Sequence, residues 1–165
     1  MPFDRSNYGG AAGESAVRSE LAARGHNVAT PAVDVGDDII TINPIDSRIQ
    51  RVQVKAAIKE AMNPFWTLFQ FRIKESAIQN QTDPDLIFVF ALRAEKRWNF
   101  VIIRRGVLSH MINQGDIGTL HDGHYNISLS LRADRIRLRS GAGDNETDLT
   151  DYLDNWHPWE DNYWD

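Results

Sequence analysis

The chain has 165 residues, 42% of them hydrophobic, with a net charge of −5 and no cysteine. That is enough for one domain with a buried core, and it excludes disulfides and thiolate zinc sites. No apolar run approaches the roughly 20 residues that span a bilayer, and the opening MPFDRSNYGG lacks the basic and apolar regions of a signal peptide, so a cytoplasmic protein is expected.

Charge is distributed unevenly. Residues 1–47 hold three Arg or Lys against seven Asp or Glu; residues 48–139 hold fifteen against eight; residues 140–165 hold eight acids and no base. A basic middle on an acidic protein can still contact phosphate.

In chain order, GAAGESAVRSELAARG (10–25) reads as a helix, with Ala12, Ala16, Val17 and Leu21 at helical spacing and Gly25 as its stop. A short extended piece (26–32) leads to an Asp/Gly turn. DIITIN (38–43) and QRVQVKA (50–56) read as strands joined by a polar turn. FWTLFQFRI (65–73) reads as a third strand, with a short helix at 74–80. DPDLIFVFAL (83–92) is apolar enough for a strand covered on both faces. WNFVIIRR (98–105) is its hairpin partner and GVLSHMINQ (106–114) a helix. Residues 115–126 read as a loop, ISLSL and RIRLR as short strands, and 140–148 as a linker. The acidic end holds three of the five tryptophans. Trp at that density belongs in contact with protein, so residues 141–165 are expected to dock on a domain of residues 1–140, with a short helix through Tyr152 and Trp156. The fold class is α/β, a mixed central sheet flanked by helices.

Four polar positions carry chemistry. Glu14 lies on the first helix among small residues. Asp38 ends an Asp-rich turn and begins an apolar strand. Gln53 and Lys55 share one face of a strand whose other face is Val52 and Val54. A carboxylate, an amide oxygen and an ammonium at one sheet edge can hold Mg²⁺ and orient a water beside a phosphate. Asp38 and Gln53 supply ligands, and Glu14 completes the shell or holds an outer water. Lys55 orients the nucleophile or stabilises charge. Asp34 and Asp37 compete with Asp38 for the acid's place. Arg48, Arg51, Lys59 and Arg72 are candidates for flanking phosphates. His121 and His124 bracket an Asp-Gly pair that reads as a hairpin turn ahead of a metal site. Trp156, Trp159 and Trp164 could stack bases, but their acidic surroundings favour packing or a protein partner.

Gly13-Glu14-Ser15 with Leu21 to Gly25, the strand entry DVGDDI (34–39) and VQVK (52–55) resemble the restriction-endonuclease-like PD-(D/E)XK superfamily. The resemblance covers about a quarter of the chain in specific residues. It implies an αβββαβ core and a Mg²⁺-dependent endonuclease acting on DNA, with Mn²⁺ able to substitute. Asp38 becomes the metal-binding acid, Gln53 stands at the second acidic position, Lys55 is the catalytic lysine and Glu14 the helix acid. The superfamily's usual residue at the Gln53 position is Asp or Glu; some branches, certain modification-dependent restriction enzymes among them, carry QxK. Glutamine removes one negative charge from the cage. A homodimer would let a one-site nuclease cut both strands. The rivals are a non-catalytic nucleic-acid-binding or protein-interaction domain on the same fold, and a nuclease for RNA or branched junctions.

Overall fold

The computed structural model describes residues 5–33, 36–60, 66–115, 118–132, 135–139 and 146–160. It is a mixed α/β fold with a mixed five-stranded sheet, a second sheet and flanking helices. Among the described residues no helix is long and apolar enough to cross a membrane.

The first helix, α1 (Arg5–Ala23), buries Gly9, Gly13, Val17 and Leu21, a stripe at steps of four. Gly13 is required by close approach, because a Cβ there would overlap the Ala56 methyl of the strand beneath. The helix stops in a Schellman arrangement. The Gly25 N–H donates to the Ala22 carbonyl at 3.0 Å and the His26 N–H to the Leu21 carbonyl at 3.1 Å, with Gly25 at φ +86°.

The central sheet takes β1 (Asn27–Ala29), β2 (Ile39–Ile42), β3 (Ile49–Lys59), β5 (Leu86–Ala94) and β6 (Arg97–Arg104) in the order β1-β2-β3-β5-β6. Only β3 and β5 are parallel. Their parallel pairing needs a crossover; here the crossover contains β4 (Thr67–Lys74) and α2 (Glu75–Gln79). The β5–β6 hairpin closes through Glu95 and Lys96, both at positive φ, as a two-residue turn with the right twist requires.

The second sheet is where the structure departs from the expected layering. The strand read from FWTLFQFRI is β4, and it joins β8 (His124–Arg132), β9 (Arg135–Arg139) and β10 (Glu146–Asp148) in the order β10-β9-β8-β4, with β7 (Thr119–His121) also on β8. A sheet, not only a helix, therefore covers one face of the central sheet. Strict alternation in β4 explains it: Phe69, Phe71 and Ile73 go inward and Leu68, Gln70, Arg72 and Lys74 stay exposed. The reading of 115–126 as a plain loop gives way to the β7–β8 hairpin, and 146–148, read as linker, is strand. Residues 140–145, Phe65 and Trp164 lie outside the described residues. The remaining helix of this layer, α3 (Arg105–Asn113), buries Leu108 and Ile112.

Two apolar clusters result. Between the sheets lie Phe69, Phe71, Phe88, Phe90, Val101, Ile103 and Leu129 with their neighbours. On the other side of the central sheet Val52, Val54, Val89, Phe100 and Ile102 pack under Val17, Leu21, Trp156 and Trp159. The two tryptophans arrive through a 3₁₀ turn (Thr150–Tyr152) and α4 (His157–Glu160), not a helix spanning Tyr152 to Trp156. The Asp154 backbone N–H donates to the Phe100 carbonyl at 2.6 Å, and Leu153 bridges to Val101. The Trp159 indole N–H donates to Thr41 Oγ1 at 3.1 Å, and Gln50 donates to the Pro158 carbonyl. The end of the described chain thus straps the α1 side of the central sheet from β6 across to β2.

Candidate active site

Alternation along β3 sets the geometry. Val52, Val54 and Ala56 point toward α1, so Arg51, Gln53 and Lys55 point to the side facing the second sheet. The first turn of β2 brings Asp38 alongside. Its N–H donates to the Val52 carbonyl at 2.9 Å, and its Oδ2 accepts from the Val54 N–H at 2.6 Å. The first bond carries the β2–β3 pairing one residue further, and the second, from backbone to side chain, holds the carboxylate against β3 next to Gln53.

All three side chains line one open cleft of about 660 Å³, whose opposite wall comes from β4, α2 and β8 through Arg72, Lys74, Asn80 and His124. Asp37 lines it too, but is committed: its two oxygens accept from Arg51 Nη2 at 2.8 Å and Nε at 2.9 Å. Of the competing acids, Asp37 is thus an anchor for Arg51, Asp38 stands beside Gln53, and Asp34 lies outside the described residues.

Gln53 is the unusual group. It is 8% exposed, and its Oε1 has no hydrogen-bond partner within the protein. A buried amide oxygen without a partner costs about 1–3 kcal/mol, and almost all such groups in folded proteins are paired. Its surroundings are Phe88 on β5 and the Asp38 carboxylate side of β2. An acceptor in such a place is suited to a cation or a donor arriving from the cleft.

Glu14 is not brought to this cleft. It sits on α1, on the far side of the central sheet, and pairs with Arg18 at 2.8 Å. Helical spacing placed it among small residues correctly, but the stripe that faces β3 is 9-13-17-21, and the two sheet faces were not distinguishable from the helix alone. Among the phosphate candidates, Arg72 lines the cleft. Arg51 lines it with its guanidinium held by Asp37. Arg48 is exposed beside Asp46 at 3.4 Å and Lys59 is exposed at the end of β3. Lys74 was missed, although it is two residues beyond Arg72 on the same strand face. The Asp122-Gly123 pair is the hairpin turn that the sequence suggests, and His124 opens β8 beyond it, its ring nitrogen 2.8 Å from the Asp122 carbonyl. Among the described residues no group of three His, Asp or Glu converges as a metal cage. Trp156 and Trp159 are each 3% exposed, which removes them as base-stacking platforms.

The cleft wall therefore combines two carboxylates, four cationic side chains, an imidazole and one orphaned amide oxygen. No protein-family model matches the chain, and neither a curated protein nor a solved structure matches it.

Proposed function

We propose that the protein is a Mg²⁺-dependent phosphodiester hydrolase that cuts DNA, on a restriction-endonuclease-like core of the PD-(D/E)XK kind with glutamine at the second acidic position. The observation that carries this reading is the meeting of Asp38, Lys55 and Gln53 along one open cleft, with the buried Gln53 oxygen lacking a hydrogen-bond partner within the protein. The central-sheet order β1-β2-β3-β5, with β5 parallel to β3 and α1 packed on one face, supports it as well.

The residues present fit a divalent cation: Asp38 offers an anionic oxygen and Gln53 a neutral one that is otherwise unused, and Mg²⁺ takes only one or two protein carboxylates. When bound, the metal would offset charge on the scissile phosphate and acidify a water. The chain's own groups do the rest. The Val54 N–H fixes the Asp38 carboxylate. Lys55 holds the attacking water or a phosphate oxygen with its ammonium. Arg72 and Lys74 hold neighbouring phosphates. Glu14 has no part in this arrangement. Cutting both strands from one site per chain calls for two copies on the DNA.

The test is incubation of supercoiled plasmid, single-stranded DNA, RNA and a four-way junction with Mg²⁺ or Mn²⁺, with and without chelator. Duplex nicking that requires metal and falls about 10²–10³-fold in Lys55→Ala is the expected result. The neutral Gln53 and the lack of a three-acid cluster among the described residues favour a second reading, a binding module that does not cleave. Binding without cleavage under every metal condition would establish that one instead, and preferential cutting of RNA or junctions would replace the substrate.

A further inference from the structure

We infer that Arg72, Lys74 and His124 form a subsite for a phosphate monoester on the cleft wall opposite Asp38 and Lys55. The inference rests on the hydrolase reading only for its role, a phosphorylated strand end held across the cleft from the cutting centre. Lys74 pairs directly with His124 across the β4–β8 ladder, and Arg72 stands two residues before Lys74 on the same strand face. Side chains directly opposite have Cβ atoms about 5 Å apart, and two strand steps are about 7 Å. The three groups therefore form a compact triangle, with Arg72 and Lys74 exposed and His124 half-buried. The ring of His124 is anchored, because its Nδ1 lies 2.8 Å from the Asp122 carbonyl. A carbonyl only accepts, so Nδ1 donates in that bond and Nε2 is the nitrogen left for a ligand.

Charge selects the ligand. Arg18, Arg24, Arg48, Arg51 and Arg105 are matched with Glu14, Glu20, Asp46, Asp37 and Asp85. Arg72 and Lys74 have no ion pair or hydrogen bond among the described residues. The Asp122 carboxylate, at the nearby turn, lies 3.1 Å from the His121 ring. Glu75, next in the chain, does not line the cleft, and the acids that do are on the facing wall, where Asp37 is held by Arg51 and Asp38 by the Val54 N–H. Like charges on neighbouring strand positions repel, and an anion in the cleft offsets that. A diester within a strand carries a single negative charge, whereas a monoester carries about −1.5 to −2 at pH 7 on three acceptor oxygens. Three convergent donors suit the monoester: the Arg72 fork can take two oxygens, the Lys74 ammonium adds a point charge, and His124 Nε2 takes the third. The cleft volume of about 660 Å³ is that of sites for small ligands, which suits a terminal nucleotide.

The test uses the full chain and internally labelled DNA duplexes of one sequence, ending in 5′-phosphate, in 3′-phosphate or in hydroxyls only. Fluorescence anisotropy in EDTA reads binding without cleavage. A phosphate at one end or the other should tighten binding about tenfold over the hydroxyl duplex. The combined variant Arg72→Gln, Lys74→Gln should lose this preference while still binding the hydroxyl duplex. The charge-keeping pair Arg72→Lys, Lys74→Arg should retain most of it, which a merely misfolded protein would not. A parent without the preference would overturn the inference, as would a glutamine variant that keeps it. Competition with inorganic phosphate identifies the source of the monoester. Resistance of the phosphorylated duplex to equal concentrations of inorganic phosphate supports a strand end, and its displacement to the hydroxyl level would replace the strand end with free phosphate. Lys55→Ala should keep the preference and lose cleavage in Mg²⁺. A parent that shows the preference but never cleaves would defeat the hydrolase reading alone. A parent that cleaves without the preference would defeat the subsite alone.

Discussion

The two faces of β3 are built from alternate residues of one strand and have opposite fates. Val52, Val54 and Ala56 are closed over by α1 and by the two tryptophans, with Val52 fully buried. Arg51, Gln53 and Lys55 face the second sheet, but at this end the second sheet stands away and leaves the cleft. One side satisfies packing; the other holds a charged pair and an unpaired amide oxygen that packing alone does not explain.

The packed face should break hardest. Trp156→Ala removes a ring that meets Phe100 edge-on at 5.2 Å and lies under the Arg24 guanidinium. Chemical denaturation should show a loss of about 3–5 kcal/mol; a loss under 1 kcal/mol would mean that the strap is peripheral. On the cleft face, Arg51→Ala strands the Asp37 carboxylate, which is 8% exposed. Its expected cost is about 1.5–3 kcal/mol, and a double-mutant cycle with Asp37→Ala should recover part of it.

Gln53→Leu sharpens the contrast by reversing its sign. Removing a buried acceptor that has no partner should raise stability by about 1 kcal/mol while lowering any metal-dependent activity. Destabilisation there would mean that the amide is already satisfied in solution. The smallest effect is expected at Asp154, in the strap. Partial desolvation raises its carboxyl above the ordinary value, against the Phe100 N–H and the Arg97 and Arg24 charges, and because the residue is exposed, solvent screening keeps the effect small. The folded chain then binds this proton more tightly than the unfolded one, so the group favours folding at low pH and loses that contribution as pH rises through the folded pKa. Asn keeps the oxygen that accepts from the Phe100 N–H and tolerates the φ of 50°. Asp154→Asn should therefore be stabilising at pH 7 by no more than about 0.5 kcal/mol, and neutral once the carboxyl is protonated. A thermal melt at both pH values would check it.

Much of the architecture was legible in local pattern. The apolar run within 83–92 announced a strand covered on both sides, the aromatic-rich stretch 65–73 announced a further strand without saying which face it would bury, and Gly25 marked the helix end. The second sheet was not legible, because its existence depends on which strands pair: β4 and β8 pair residues 50 to 64 positions apart, and β10 is polar throughout and is a strand only by pairing with β9. The same gap explains the site. Strand alternation put Gln53 and Lys55 together and the ladder delivered Asp38 to them. The burial of Gln53 depends on its neighbours on β2 and β5, which strand pairing decides and local pattern does not. Glu14 went astray for a related reason, since spacing along a helix does not say which face of a sheet it will cover.

The account turns on whether the cleft collects a divalent cation. The most direct measurement is a Mn²⁺ titration of the full chain followed by electron paramagnetic resonance, beside Asp38→Asn. The account predicts a bound Mn²⁺ per chain in the parent that is weakened at least tenfold by the substitution. A parent that binds none, or a variant that binds as tightly as the parent, would contradict it.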